Sequence, residues 1–148
     1  MTDIGLTREG PNSFSFIFIN DIDEIKKLEP IINEIGKEWE IVDKHLFTLN
    51  LVLEELITNI IFYGFKVKNS KNFIKTKVVN KEAELEVVII DNAVKFNILE
   101  KESDISSSKA LSKQKIGGLG IHLVKNMTSS IEYNRENGFN YLTLSIII

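Results

Sequence analysis

Glu55 and Asn59 lie four residues apart in an apolar stretch, so on a helix they project from neighbouring turns of one face. A carboxylate and an amide oxygen so placed can meet one ligand, and could share a magnesium-bound phosphate. Their neighbours on a helical wheel are Leu51, Val52, Phe62 and Tyr63, which argues against a solvated face. Buried without partners, such a pair would be costly. Taken alone it reads more readily as a satisfied structural hydrogen bond.

Two further segments carry chemistry of a related kind. Asp91 closes the apolar run from Val87 to Ile90, where an acceptor at the lip of a sheet can take a hydrogen bond from an amino group such as that of adenine. By itself an Asp followed by Asn92 is more often a turn former. Gly117, Gly118 and Gly120 precede the apolar positions Ile121, Val124 and Met127, so backbone amides at a helix start would face an anion with no side chain in the way. Lys113 and Lys115 add positive charge nearby, yet a plain loop is about as good a reading of that segment. Phosphate-loop and dinucleotide-fold spacings are both absent. In this order the three segments suit a nucleotide held between a helix and a sheet.

The elements that must position these residues follow from periodicity. Residues 13–19 alternate and are aromatic-rich, a strand; Asn20 or Asp21 would cap a helix from Ile22 to about Trp39, with Pro30 interrupting it. Asp43 is the expected cap of a second helix reaching about Phe65, apolar nearly all round and therefore central. Strands are expected over 73–79 and 85–90, joined by a short turn, and over 131–134 and 141–148, joined across Asn137 and Gly138. Residues 100–116 are serine-rich and charged and read as a loop, followed by a helix from Gly118 to about Met127. His45 and His122 lack acids at metal-ligand spacing, and Trp39 reads as a core anchor.

Composition bounds the function. A chain of 148 residues with 43% hydrophobic and 26% charged side chains makes one globular domain, 1–148. Eighteen basic against 21 acidic residues, net −3, argue against direct nucleic-acid binding. The absence of cysteine excludes disulfides and thiol chemistry. No signal-peptide core and no uncharged apolar run of bilayer length is present, so a soluble cytoplasmic protein is expected.

The ordered motifs resemble the ATP-binding domain shared by gyrase, a heat-shock chaperone family, histidine kinases and a mismatch-repair protein. Within that group the chain looks most like the stand-alone anti-sigma factor serine/threonine kinases. Residues 53–65, 88–100 and 115–148 are similar to their three boxes, the stretch from Ile116 to Val124 being the most specific. The resemblance implies an α+β fold of Bergerat type, a two-layer sandwich in which about three helices cover one face of a mixed, mostly antiparallel sheet. It also implies Mg2+ and ATP as cofactors, with Glu55 as general base, Asn59 as metal ligand and Asp91 as adenine acceptor. Ala93 would stand beside the base, and Gly117, Gly118, Leu119 and Gly120 would line the phosphates under a lid over 100–116. Thr143 would help hold adenine.

The implied partners are a sigma factor, a STAS-type anti-anti-sigma protein and a second copy of the chain, with the strand carrying Phe14, Phe16 and Phe18 as a candidate edge unless those residues are core. Ala93 stands where the family usually has glycine, and Lys95 and Ile98 where it often has proline. A turn with positive φ there would cost alanine about 1 kcal/mol. On that expectation a nucleotide-impaired regulator that keeps only its protein-binding role is the alternative.

Overall fold

The computed structural model describes residues 4–67, 69–100 and 120–148. Six strands form one sheet: β1 (Thr7–Arg8), β2 (Ser13–Phe18), β3 (Ile74–Asn80), β4 (Glu84–Asp91), β5 (Ser130–Glu136) and β6 (Phe139–Ile147). Their order is β1-β2-β3-β4-β6-β5, and every pairing is antiparallel, so the mixed sheet expected from sequence is wholly antiparallel among the described strands. Helices α1 (Leu28–Trp39), α2 (Asp43–Asn59) and α3 (residues 120–127) complete the α+β architecture.

Alternation builds the sheet's buried face. Leu85, Val87 and Ile89 of β4 pair with Ile146, Leu144 and Leu142 of β6, and all six are buried. In β2 the same period buries Phe14, Phe16 and Phe18 at 5%, 2% and 1% exposure, while Ile17 between them is exposed. These three phenylalanines are therefore core. The two-residue β1 covers the outer side of their strand at Phe14 and Ser15, and among the described residues no strand pairs with residues 16–18 on that side.

The helices lean on that face through Leu28, Ile32, Ile35, Leu49, Leu53 and Leu56, each no more than 2% exposed. Pro30 breaks nothing: a 3-10 turn over Ile22–Lys27 passes directly into α1, and proline falls in the first α-turn, where no N–H is required of it. The 3-10 turn is capped as expected, Asp21 Oδ1 accepting from the Asp23 N–H at 3.0 Å. For α2 the expected cap is displaced by one residue: Val42 occupies the cap position, and Asp43 is the first helical residue, with its charge at the positive end of the dipole.

After Asn59 the central helix widens into a π-turn, Ile60–Gly64. The 22-residue stretch Asp43–Gly64 is long and apolar enough to span a bilayer by length and composition alone. Its inner face is nonetheless the domain core, with Leu49, Val52, Leu53 and Ile57 at 0% exposure. The helix is less enclosed than its composition implies, since Phe47, Phe62 and Tyr63 are exposed. Both expected hairpins form. Glu82 takes φ +70° in the β3–β4 turn, and Asn137 and Gly138 take φ +51° and +85° between β5 and β6, the positive pair that a tight two-residue hairpin needs.

Candidate functional site

The site begins on α2. Asn59 Nδ2 donates to the Glu55 carbonyl at 2.7 Å and to Glu55 Oε2 at 3.0 Å, so the amide nitrogen is committed and the amide is oriented by its own helix. Among the described residues no donor engages Asn59 Oδ1. That oxygen is thus available as a hard ligand for a cation. Glu55 is half-buried while Asn59 is 3% exposed. Burial raises the Glu55 carboxyl above its ordinary value; the Asn59 hydrogen bond opposes the rise and the neighbouring Glu54 adds to it. A carboxylate held this way is a better proton acceptor than a solvated one.

Gly120, at the start of the described part of α3, lies against the Glu55 carboxylate. A Cβ built there would overlap Glu55 Oε2 and Cδ, so the approach exists only because residue 120 has no side chain. This contact joins the first and third sequence motifs. The second joins the first through Gly64, where an added Cβ would stand 3.3 Å from the Ala93 methyl. Gly117, Gly118 and Leu119, together with Lys113, Lys115 and all of the expected lid except Glu100, lie outside the described residues.

Asp91 closes β4 on the sheet's helix-covered face and is 4% exposed. Its Oδ1 accepts from the Ala93 N–H at 3.0 Å and from Asn140 Nδ2 at 2.9 Å. Among the described residues nothing donates to Oδ2. Burial lifts this carboxyl above its ordinary value, against the pull of Asn140, the Ala93 N–H and the nearby charge of Arg135. The paired helix acceptor and strand acceptor, each with one oxygen unengaged, fit a magnesium-bound nucleotide presenting a cation at one end and an amino group at the other.

Ala93 does not carry the strain expected of it. Positive φ occurs at Glu40, Glu82 and Asn137 among non-glycine residues, and Ala93 is not one of them. Its methyl is accommodated opposite Gly64, which supplies the missing volume.

Thr143 is not brought to the site. It pairs with Val88 and is in phase with Tyr141 and Ser145, on the sheet face away from the helices, whereas Asp91 is in phase with Asn140, Leu142 and Leu144. Asn140, directly opposite Asp91 and 3% exposed, occupies the place assigned to the threonine. Its signal was present in the sequence: a lone polar residue in register with the apolar positions 142, 144 and 146. Tyr133 and Arg135, which donate to Asn140 Oδ1 at 2.5 and 3.1 Å, gave no comparable signal. Trp39 is structural, its Nε1 donating to the Pro11 carbonyl at 3.0 Å and its ring 5.1 Å from that of Phe14. No cluster of three or more His, Cys, Asp or Glu side chains forms among the described residues. If Asn59 Oδ1 were a lone protein ligand, Mg2+ would suit it, since that ion keeps waters and takes phosphate oxygens for the rest of its shell.

Residues 18–146 match the family described as the histidine kinase-like ATPase domain. The chain belongs to that family. It is 21% identical over 114 residues to the serine-protein kinase RsbW of Bacillus licheniformis, covering 75% of this chain and 68% of that protein. Its fold is similar to that of the histidine kinase domain from the Erythrobacter litoralis EL346 blue-light activated histidine kinase, with a TM-score of 0.51 at 10% identity. That similarity covers 83% of this chain and 60% of the other, so the chain spans less than two thirds of that kinase structure. Membership supports an ATP-binding, kinase-like regulatory role for this chain of the histidine kinase-like ATPase family.

Proposed function

We propose that this chain binds Mg-ATP and transfers a phosphoryl group to a serine or threonine hydroxyl of a partner protein, of the anti-anti-sigma STAS type, and thereby controls a sigma factor. The observation that carries the reading is the Glu55 carboxylate, turned by Asn59 and seated against Gly120 at the head of α3. ATP would supply an activated phosphoryl group whose transfer needs mainly positioning and charge neutralisation. Glu55 takes the proton of the incoming hydroxyl, with its raised proton affinity favouring acceptance. Asn59 Oδ1 would hold Mg2+, and Asp91 Oδ2 would accept from the adenine amino group. By the family resemblance Gly117, Gly118, Leu119 and Gly120 would line the phosphates; of the four, Gly120 is among the described residues. The same reading carries a homodimer acting in the cytoplasm on transcription through protein partners, without contacting nucleic acid.

The nucleotide-impaired alternative rested on strain at Ala93 and on crowding of the base by its methyl. The negative φ of that residue removes the strain. Incubation with labelled ATP and proteins captured from the native cell tests the proposal. Label should reach a small partner with the wild-type chain, and Glu55→Ala should abolish transfer while leaving ATP binding largely intact. Transfer at the wild-type rate in Glu55→Ala would overturn the role given to Glu55.

A further inference from the structure

The turn after Asp91 contains neither proline nor glycine: residues 92–97 are Asn, Ala, Val, Lys, Phe and Asn. Its backbone groups are held from the β5–β6 hairpin instead. Arg135 Nη1 donates to the Ala93 carbonyl at 2.9 Å, and Asn140 Nδ2 donates to the Val94 carbonyl at 2.9 Å. The Phe96 N–H donates to Asn140 Oδ1 at 3.4 Å. An amide side chain offers two donor hydrogens and two acceptor lone pairs. In Asn140 the hydrogens go to Asp91 Oδ1 and Val94, and the oxygen is shared by Tyr133, Arg135 and Phe96. With the residue 3% exposed, nothing on it is left over for a ligand.

We propose that Asn140, locked by Tyr133 and Arg135, is a positioning residue that sets nucleobase selectivity by fixing the Asp91 carboxylate with Oδ2 toward the base. Oδ1 is saturated by Asn140 and the Ala93 N–H, so the carboxylate cannot rotate without leaving buried donors unpaired. A base with an exocyclic amino group facing Oδ2 completes the acceptor. A base with an oxo group there sets two acceptors against each other, and a site built around a fixed polar group discriminates strongly for that reason. Without Asn140 the carboxylate turns and the 93–96 turn loosens, so the penalty against the oxo base falls. The inference rests on the ATP reading given above.

Calorimetry with Mg-ATP and Mg-inosine triphosphate, which differ in the 6-amino against 6-oxo group and the N1 proton that comes with the latter, tests it together with hydrogen exchange of single amides, which needs no nucleotide. In Asn140→Ala the Ala93 and Phe96 amides should exchange about tenfold faster or more, while amides of the β3–β4 ladder such as Val79 keep their protection. The preference for ATP over inosine triphosphate should fall about tenfold. Because Asn140 is buried, Arg135→Met serves as a second variant: it keeps the aliphatic stem, removes two of the donors, and should move both readouts in the same direction. Unchanged protection at Ala93 and Phe96, or equal weakening of both nucleotides, overturns the inference. A wild-type chain that binds neither nucleotide overturns the ATP reading itself, and the selectivity with it, whatever the amides show.

Discussion

Glu55 and Asp91 share one electrostatic feature, a carboxyl raised above its ordinary value by burial, and its consequence for stability has a definite sign. Between the ordinary and the raised value the native state binds more protons than the unfolded chain. Stability therefore falls as pH rises through that window, and above it the ionised groups remain a cost to the fold. Glu55→Gln removes the ionisation and keeps the shape. Its urea midpoint at neutral pH should equal or exceed that of the wild type, with the advantage shrinking as pH falls through that window and gone below the ordinary carboxyl value. Gly120 acts through its lack of a side chain. The nearest atoms to an added methyl are the carboxylate end of Glu55, which can swing away, so Gly120→Ala should stay folded within about 1 kcal/mol of wild-type stability. It should slow transfer about 100-fold, because a displaced base loses the reacting geometry. A wild-type rate in that variant would mean that Glu55 is not placed by Gly120.

Helix α2 does two jobs along its length. Its first turns are a core helix, while the π-turn over Ile60–Gly64 ends it with Gly64 set against Ala93, which ties the helix to the turn after Asp91. Insertions of this kind recur where a helix must meet a functional site. The β5–β6 hairpin is the second decisive element, since it carries Tyr133, Arg135 and Asn140 beneath Asp91. Its turn depends on positive φ at Asn137 and Gly138. At Gly138 an added Cβ would meet nothing within 4 Å, so Gly138→Ala isolates the conformational cost, and denaturant unfolding should show a loss of about 1 to 2 kcal/mol. The strand and hairpin signals were legible because alternation and an Asn-Gly pair are local properties. The π-turn was not, because widening a helix by one residue leaves no periodic trace in so apolar a stretch.

At the scale of the molecule, the sheet and helix layer bring three distant segments into contact, and ligand linkage is the expected readout. Mg-ATP at about 100 times its dissociation constant should stabilise the native state by about 2.7 kcal/mol. A thermal melt should show the shift, Asp91→Asn should remove most of it, and a wild-type chain with no shift would leave the nucleotide reading without support. Local order was enough to place the strands, the helices and the three motifs, because periods of 2 and 3.6 and the chemistry of Glu, Asn, Asp and Gly are local properties, and the resemblance those motifs carry implied the α+β class. It also determined that Glu55 and Asn59 share a helix face, since four residues make about one turn. Only the tertiary structure decided that Ala93 is unstrained, that Phe14, Phe16 and Phe18 are core, and that Asn140 rather than Thr143 stands opposite Asp91. Those outcomes depend on pairing register and on what another segment places alongside, and a difference of one residue in strand phase moves a side chain to the other face of the sheet.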